Sequence, residues 1–510
     1  MGRALVVAVL VCAIVAGALG VLSTLPSRSS AAVPPPASGD WIVDSDTTLA
    51  DQSITIVGNI SVESGATLTL TNIDLSVSAP AAEVRGIVVN GGGSLVVAGG
   101  NISKTGPADS GLYLLADFES SLDVQGANLT GFGFANATVN YAGIIIQANG
   151  STLADNTIVS GTHAVSIRGA NGVQVTGNDI TTGEVGISLL DATANTVQAN
   201  GIVGAEATGI WLNDSASNNL VRSNEVQGSG VGIFIDYASS SNSVEANTVS
   251  SAIYGVVVRH NAAGNLVANN TLNIVSHGIW IGDGASNTHV WQNEITGATG
   301  PATEGVVLSY AGASNLVHMN AIESVRVGIA VNMTTTANNR LLDNTIVGGT
   351  IGILLNTTSG IQVTQNTVNA TTATAVQLED ADGSTVSQNE LRNNSRGIVL
   401  LHDSDANTIT GNTILGGDES ITLWGTSSGN TVTGNTATDV LVNITDNSGQ
   451  TNTISGNTVT LRTPPPEEDL GSAAIPALGA VLLVVAIIAA VLALRARKGA
   501  APPPTEPPKS

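Results

Sequence analysis

The sequence predicts an all-β, right-handed parallel β-helix with coils of about 23 residues, followed by one C-terminal transmembrane helix. Three observations carry this. A glycine followed by an apolar residue recurs at Gly186-Ile187, Gly209-Ile210, Gly232-Ile233, Gly255-Val256 and Gly278-Ile279, each step being 23 residues. A second pattern, Asn-x-(Val/Ile/Leu)-x-x-Asn, lies between these pairs, as at Asn195–Asn200 and Asn219–Asn224. Near the end, Ala473–Leu494 is an apolar run without a charge.

In chain order, residues 1–32 read as a signal peptide: Arg3 precedes the apolar run Ala4–Val21, and small residues at Ser29–Ala32 offer a cleavage region. An uncleaved anchor is the alternative. The only cysteine, Cys12, lies in this run, so the exported part has no disulfide and must draw its stability from stacking. Residues 33–40, with Pro34–Pro36, form a linker. The β-helix ectodomain covers residues 41–461. Its first coils, Trp41–Ala135, are less regular but alternate apolar and polar residues, as in Thr67-Leu68-Thr69-Leu70.

The regular repeat extends back through Gly143-Ile144 and Ala164-Val165. It runs forward through Gly305, Gly328, Gly352, Ala375 and Gly397 to Ser420-Ile421. Each coil holds short strands in which Ile210 and Leu212, for example, face inward while Trp211 and Asn213 face outward. Asparagine suits the turns through its tolerance of left-handed backbone, and at equal positions in successive coils its amides can form a ladder. About 18 rungs at about 4.8 Å each give a length on the order of 85 Å. Leucine-rich repeats have a similar period but need a leucine consensus and a helical segment; a propeller needs nearly twice the period.

Residues 462–472, with Pro464–Pro466, Glu467 and Glu468, read as a juxtamembrane spacer. Residues 473–494 are the predicted transmembrane helix. Arg495, Arg497 and Lys498 follow it, which places the Pro-rich tail 495–510 in the cytoplasm and the ectodomain outside the cell.

The repeats resemble the right-handed parallel β-helix repeats of the NosD-like and carbohydrate-binding, sugar-hydrolase (CASH) group, on a Gly-Ile-x-Leu … Asn-x-Val-x-x-Asn rhythm clearest over Gly143–Asn457. The opening Asp40-Trp41-Ile42-Val43 with Gly58–Val62 and Gly65–Leu70 also resembles archaeal surface proteins of that type. The group includes polysaccharide lyases, epimerases, adhesin-like surface proteins and a copper-related accessory protein, so the resemblance implies the fold and leaves the activity open.

The net charge of −23 argues against nucleic acid as a partner. Only 3% of residues are aromatic, so an outward row of them stands out. Two positions after the repeat glycine come Trp211, Phe234 and Trp280; four and five after it come Asn213 with Asp214, Asp236 with Tyr237, Arg259 with His260, and Asp283. Aromatic rings spaced by whole coils suit stacking on sugars, and the neighbouring carboxylates with Arg259 suit sugar hydroxyls or uronic acids. The structural alternative is that the rings strengthen cross-strand stacking.

The expected function is therefore a non-catalytic, membrane-anchored surface protein that binds glycans or other envelope polymers. The alternative is an anchored polysaccharide lyase, epimerase or hydrolase using Asp236, Arg259, His260 and Asp283. Asp236 and Asp283 stand two rungs apart, roughly 10 Å, long for a glycosidase pair.

The six histidines (His163, His260, His277, His289, His318 and His402) form no ligand-spaced group, and the outer part has only Met319 and Met333 beside them. No metal or cofactor is expected, calcium being left open, and a copper role is the weakest reading. Sequons are dense (Asn59, Asn101, Asn128, Asn136, Asn149, Asn213, Asn269, Asn332, Asn356, Asn369, Asn393 and Asn443), which predicts a glycoprotein. A sugar on Asn213 would crowd the Trp211 row.

Overall fold

A computed structural model describes residues 33–135, 140–141, 143–297, 303–336 and 338–463. The predicted signal peptide, transmembrane helix and cytoplasmic tail lie outside the described residues, as does most of the spacer. Among the described residues no helix is long and apolar enough to cross a membrane. The chain divides into two compact units, Met1–Thr460 and Leu461–Ser510.

Three parallel ladders of short strands build a β-solenoid of about 18 turns. The first ladder opens with Trp41–Val43, the second with Thr47–Ala50 and the third with Ser53–Ile56; they close with Thr445–Asp446, Thr453–Ser455 and Thr458–Leu461. The glycine–apolar pairs of the sequence are the first ladder. Ile187, Ile210, Ile233, Val256 and Ile279 pair in register from coil to coil. The first coil is short, pairing Trp41 with Ile60, and the next two are longer, with partners Ile60, Ile87 and Leu114 each 27 residues apart. An antiparallel hairpin, Phe134–Ala135 with Asn140–Tyr141, lies between Leu114 and its next partner, Ile144.

The core is a stack of aliphatic columns. Ile210, Val221 and Val226 come from the three sides of one coil and are fully buried, as are Ile233, Val244 and Val249 in the next. Each side chain buried in this way stabilises the coil by roughly 1.5–3 kcal/mol. Val33, within the predicted linker, packs against this core, and its N–H donates to Thr47 Oγ1 at 2.9 Å.

The repeat glycines have ordinary backbone angles, and what they supply is space. A Cβ on Gly278 would lie 2.5 Å from the carbonyl oxygen of Gly305 and 2.5 Å from Ile295 Cγ2. At the repeat glycines the third ladder meets the first so closely that an added Cβ would clash with a β-branched neighbour such as Ile295 or Ile322. At Ala375 the corresponding neighbour is Leu391, unbranched at Cβ. Ala164, just before Val165 in the first ladder, shows that this coil admits a methyl group at the same column position.

The asparagine ladder forms as expected. From Asn156 through Asn178, Asn200 and Asn224 to Asn457, every side-chain amide donates to the next coil's Asn Oδ1 at 2.9–3.0 Å. That same oxygen accepts the backbone N–H of the preceding asparagine, as Asn270 Oδ1 does from Asn247 at 2.9 Å. The amide's second hydrogen goes to a backbone carbonyl, that of Val244 in the case of Asn270. Donors and acceptors are thus matched inside a dry corner. The left-handed backbone falls on the residue before each ladder asparagine (Ala199, Ser223, Ala246, Gln292), not on the asparagine itself.

Candidate functional site

Outward residues of the first ladder define the site. Trp211 pairs with Phe234, Phe234 with Val257 and Val257 with Trp280, so the predicted row exists in register. Its geometry departs from a sugar-stacking platform. The Trp211 and Phe234 rings face each other, 6.3 Å between centroids and 11° between planes. Val257 is too small to continue the pile, and Arg259 of the same coil fills the gap. Its guanidinium carbon lies 5.4 Å from the Phe234 centroid and 5.6 Å from that of Trp280. Both faces of Phe234 are therefore covered, by an indole and by a cation.

Three residues absent from the predicted site join this row: Tyr254, His277 and Glu304, which precede successive repeat glycines. Tyr254 stacks on His277 at 5.2 Å and lies 5.8 Å from Trp280; His277 Nε2 is 3.4 Å from Glu304, which also holds Arg326 at 2.8 Å. The series of repeat glycines would have found them, had it been read one position before each glycine. Gly282 stands where neighbouring coils carry Asp236 and Arg259. A Cβ there would meet Trp280 Nε1 at 2.9 Å, so its absence seats the indole.

The four candidate catalytic residues come together as a closed ion-pair network. His260 Nδ1 lies 2.5 Å from Asp236 Oδ1, Arg259 Nε 3.6 Å from Asp283, and His260 Nε2 3.7 Å from Asp283. Asp236 is only 4% exposed at its side chain and is wholly engaged by its neighbours. This cluster holds His260 in place and does not offer Asp236 to a substrate.

The accessible chemistry lies one position further along, at the corner between the first and second ladders. Here Asp191, Asp214, Tyr237, His260 and Asp283 follow one another, coil by coil, all with left-handed backbone near φ +50°. Tyr310 and Met333 continue the same angle, so the strain belongs to the architecture of the corner and does not single out a site. Tyr237 stacks one face on His260, with centroids 4.7 Å apart, and is 53% exposed. Tyr237 and His260 both line a shallow depression of about 640 Å³, with Asp191, Asp214, Ser215, Ala238 and Asn261. Asp191 was not among the predicted residues, although it sits five after Gly186.

Asn213, beside Asp214, is 7% exposed and its Oδ1 has no hydrogen-bond partner. In the folded coil so buried an asparagine has no room to present the sugar expected to crowd the Trp211 row.

The remaining histidines are dispersed. His163 faces Glu184 at 3.6 Å and His402 faces Glu379 at 3.4 Å. Burial lowers the His163 pKa from its ordinary value, outweighing the raising effect of Glu184, and Arg168 adds to the lowering. His289 and His318 lie ring over ring, 6.0 Å apart and 6° from parallel; burial, then the neighbouring His318, lowers the His289 pKa. Parallel rings hold their nitrogen lone pairs in separate planes, so the two cannot converge on one ion. Among the described residues no group of three His, Cys, Asp or Glu side chains could hold a metal.

Solved structures similar in fold include the Dettilon tailspike protein, at 15% identity over 58% of this chain and 59% of that one, with a TM-score of 0.38. Another is a point mutant of the periplasmic alginate epimerase AlgG, at 13% identity over 74% and 78%, with a TM-score of 0.36. A third is a mutant tailspike protein of E. coli bacteriophage HK620 in complex with a pentasaccharide, at 11% identity over 82% and 73%, with a TM-score of 0.38. This chain spans less than two thirds of the first tailspike's length. No curated protein matches the chain. The model of one family, described as periplasmic copper-binding protein (NosD), matches residues 123–280 and 274–426, more than half of the sequence. With its repeats stacked in the register described above, the chain belongs to the NosD family.

Proposed function

We propose that this protein is a non-catalytic, glycan-binding β-helix, exported and held to a membrane by Ala473–Leu494, with its binding site at the corner depression beside Tyr237. The observation that carries the reading is the half-exposed Tyr237 ring, stacked on His260 and flanked by the carboxylates of Asp191 and Asp214. An aromatic face offers apolar contact to the C–H face of a sugar, and carboxylates accept its hydroxyls. The Trp211–Phe234–Arg259–Trp280 pile acts as a stiffener, because both faces of Phe234 are covered and Trp211 and Trp280 each give a face to the pile. An enzymatic reading loses one of its four candidate residues, since Asp236 is buried under His260 and Arg259.

Among the described residues the copper named in the family description finds no clustered donor set: the paired histidines face carboxylates, and Met319 and Met333 are exposed.

A polysaccharide array probed with the full chain tests the reading. Binding to at least one polymer without turnover, reduced in Tyr237→Ala, is expected; product release from a bound polymer, or no binding at all, overturns it. Fractionation and protease protection of cells carrying the full chain test the anchoring: the β-helix should pellet with membranes and be cut from outside.

A further inference from the structure

The depression beside Tyr237 carries a charge pattern that bears on which sugars it accepts. This step rests on the glycan-binding reading just given. Asp191 and Asp214 lie one coil apart, about 4.8 Å along the solenoid, and both line the depression with Tyr237. Two arginines stand near the depression: Arg259 lies between Phe234 and Trp280 and faces Asp236 and Asp283, and Arg168, paired with Leu190, donates its Nε to Ser166 at 2.9 Å. No lysine or arginine is among the lining residues. A carboxylate accepts hydrogens from a sugar hydroxyl and has none to donate to a second carboxylate.

We infer that the site selects neutral, hydroxyl-rich sugar units and rejects uronates. The carboxylates of Asp191 and Asp214 accept hydroxyl hydrogens of a sugar stacked on Tyr237. A uronate carboxylate brought within about 6 Å of both would meet two like charges, which lowers affinity about tenfold even in a water-like dielectric. Salt would relieve that repulsion and leave neutral binding unchanged.

The test is equilibrium binding of the full chain to neutral polymers (a β-glucan, a galactomannan) and to polyuronates (alginate, polygalacturonate), each with EDTA and with calcium. Neutral polymers should bind at least tenfold more tightly than polyuronates under both conditions. The Asp191→Asn, Asp214→Asn double variant should bind neutral polymer more weakly and narrow the difference to about twofold to threefold. Tighter polyuronate binding in EDTA overturns the inference while leaving the glycan-binding reading in place. Polyuronate binding that appears only with calcium also overturns it, because the carboxylates would then hold a bridging cation. Binding of neither class overturns both.

Discussion

Arg259 lies with its guanidinium carbon 5.4 Å from the centre of the Phe234 ring, one coil away, and it reaches Trp280 on its other side at a similar distance. A planar cation therefore continues an aromatic pile across the coil where Val257 is too small to do so. Arg259→Ala should lower stability by about 1–2 kcal/mol, discounted for the partial exposure of the group. Arg259→Lys should recover less than half of that, since an ammonium lacks the flat surface. Denaturant midpoints of the three proteins measure this, and full recovery by lysine would show that only charge matters.

The buried asparagine column sets a sharper cost. Asn270→Ala strips acceptors from the N–H and the amide of Asn247 and the donor from the Val244 carbonyl. A loss of about 2–4 kcal/mol is expected, because these groups stay buried with no replacement. Asn269, its exposed neighbour, should tolerate alanine less well than glycine, because its backbone is left-handed. Urea unfolding of the variants distinguishes a hydrogen-bond cost from a backbone cost.

The corner glycines predict a rescue. Gly278→Ala should cost roughly 2–3 kcal/mol through its contact with Ile295 Cγ2. Adding Ile295→Leu, which imitates the Ala375–Leu391 pairing, should return at least half of it. A double-mutant cycle with no coupling would show that the backbone contact with Gly305 dominates instead.

Acid should weaken the solenoid through His289. Its folded pKa is lowered by burial and by His318 from an ordinary value of 6.5, so below that value the unfolded chain binds more protons than the folded one. The stability contributed is full above about pH 6.5 and is lost as pH falls toward the folded pKa. His163 acts in the same direction. Thermal midpoints measured between pH 7.5 and 5 should fall less in His289→Gln than in the parent; equal slopes would contradict this.

Much of this was legible from spacing alone. The 23-residue glycine step gave the first ladder, its inward Ile210 and Ile233, and the alignment of Trp211, Phe234 and Trp280, because register in a solenoid is carried by equal sequence intervals. The asparagine ladder was legible for the same reason. Ring orientation was not: period tells which residues align, but whether they present faces or edges depends on rotamers and on the small Val257 that admits Arg259. Asp191 escaped because its coil has Ser188 in place of an aromatic, so nothing drew attention to it. The burial of Asp236 and Asn213 escaped because an outward position in a strand is covered when large neighbours lie over it.

The most direct test of the corner site compares binding of one recognised oligosaccharide to the parent chain, Tyr237→Ala and Trp211→Ala, by calorimetry. The account predicts a loss of about fivefold to tenfold for Tyr237→Ala, equivalent to about 1–1.4 kcal/mol of ring contact, and a change within twofold for Trp211→Ala. The reverse pattern, with Trp211 essential and Tyr237 dispensable, would contradict it and place the ligand on the aromatic row of the first ladder.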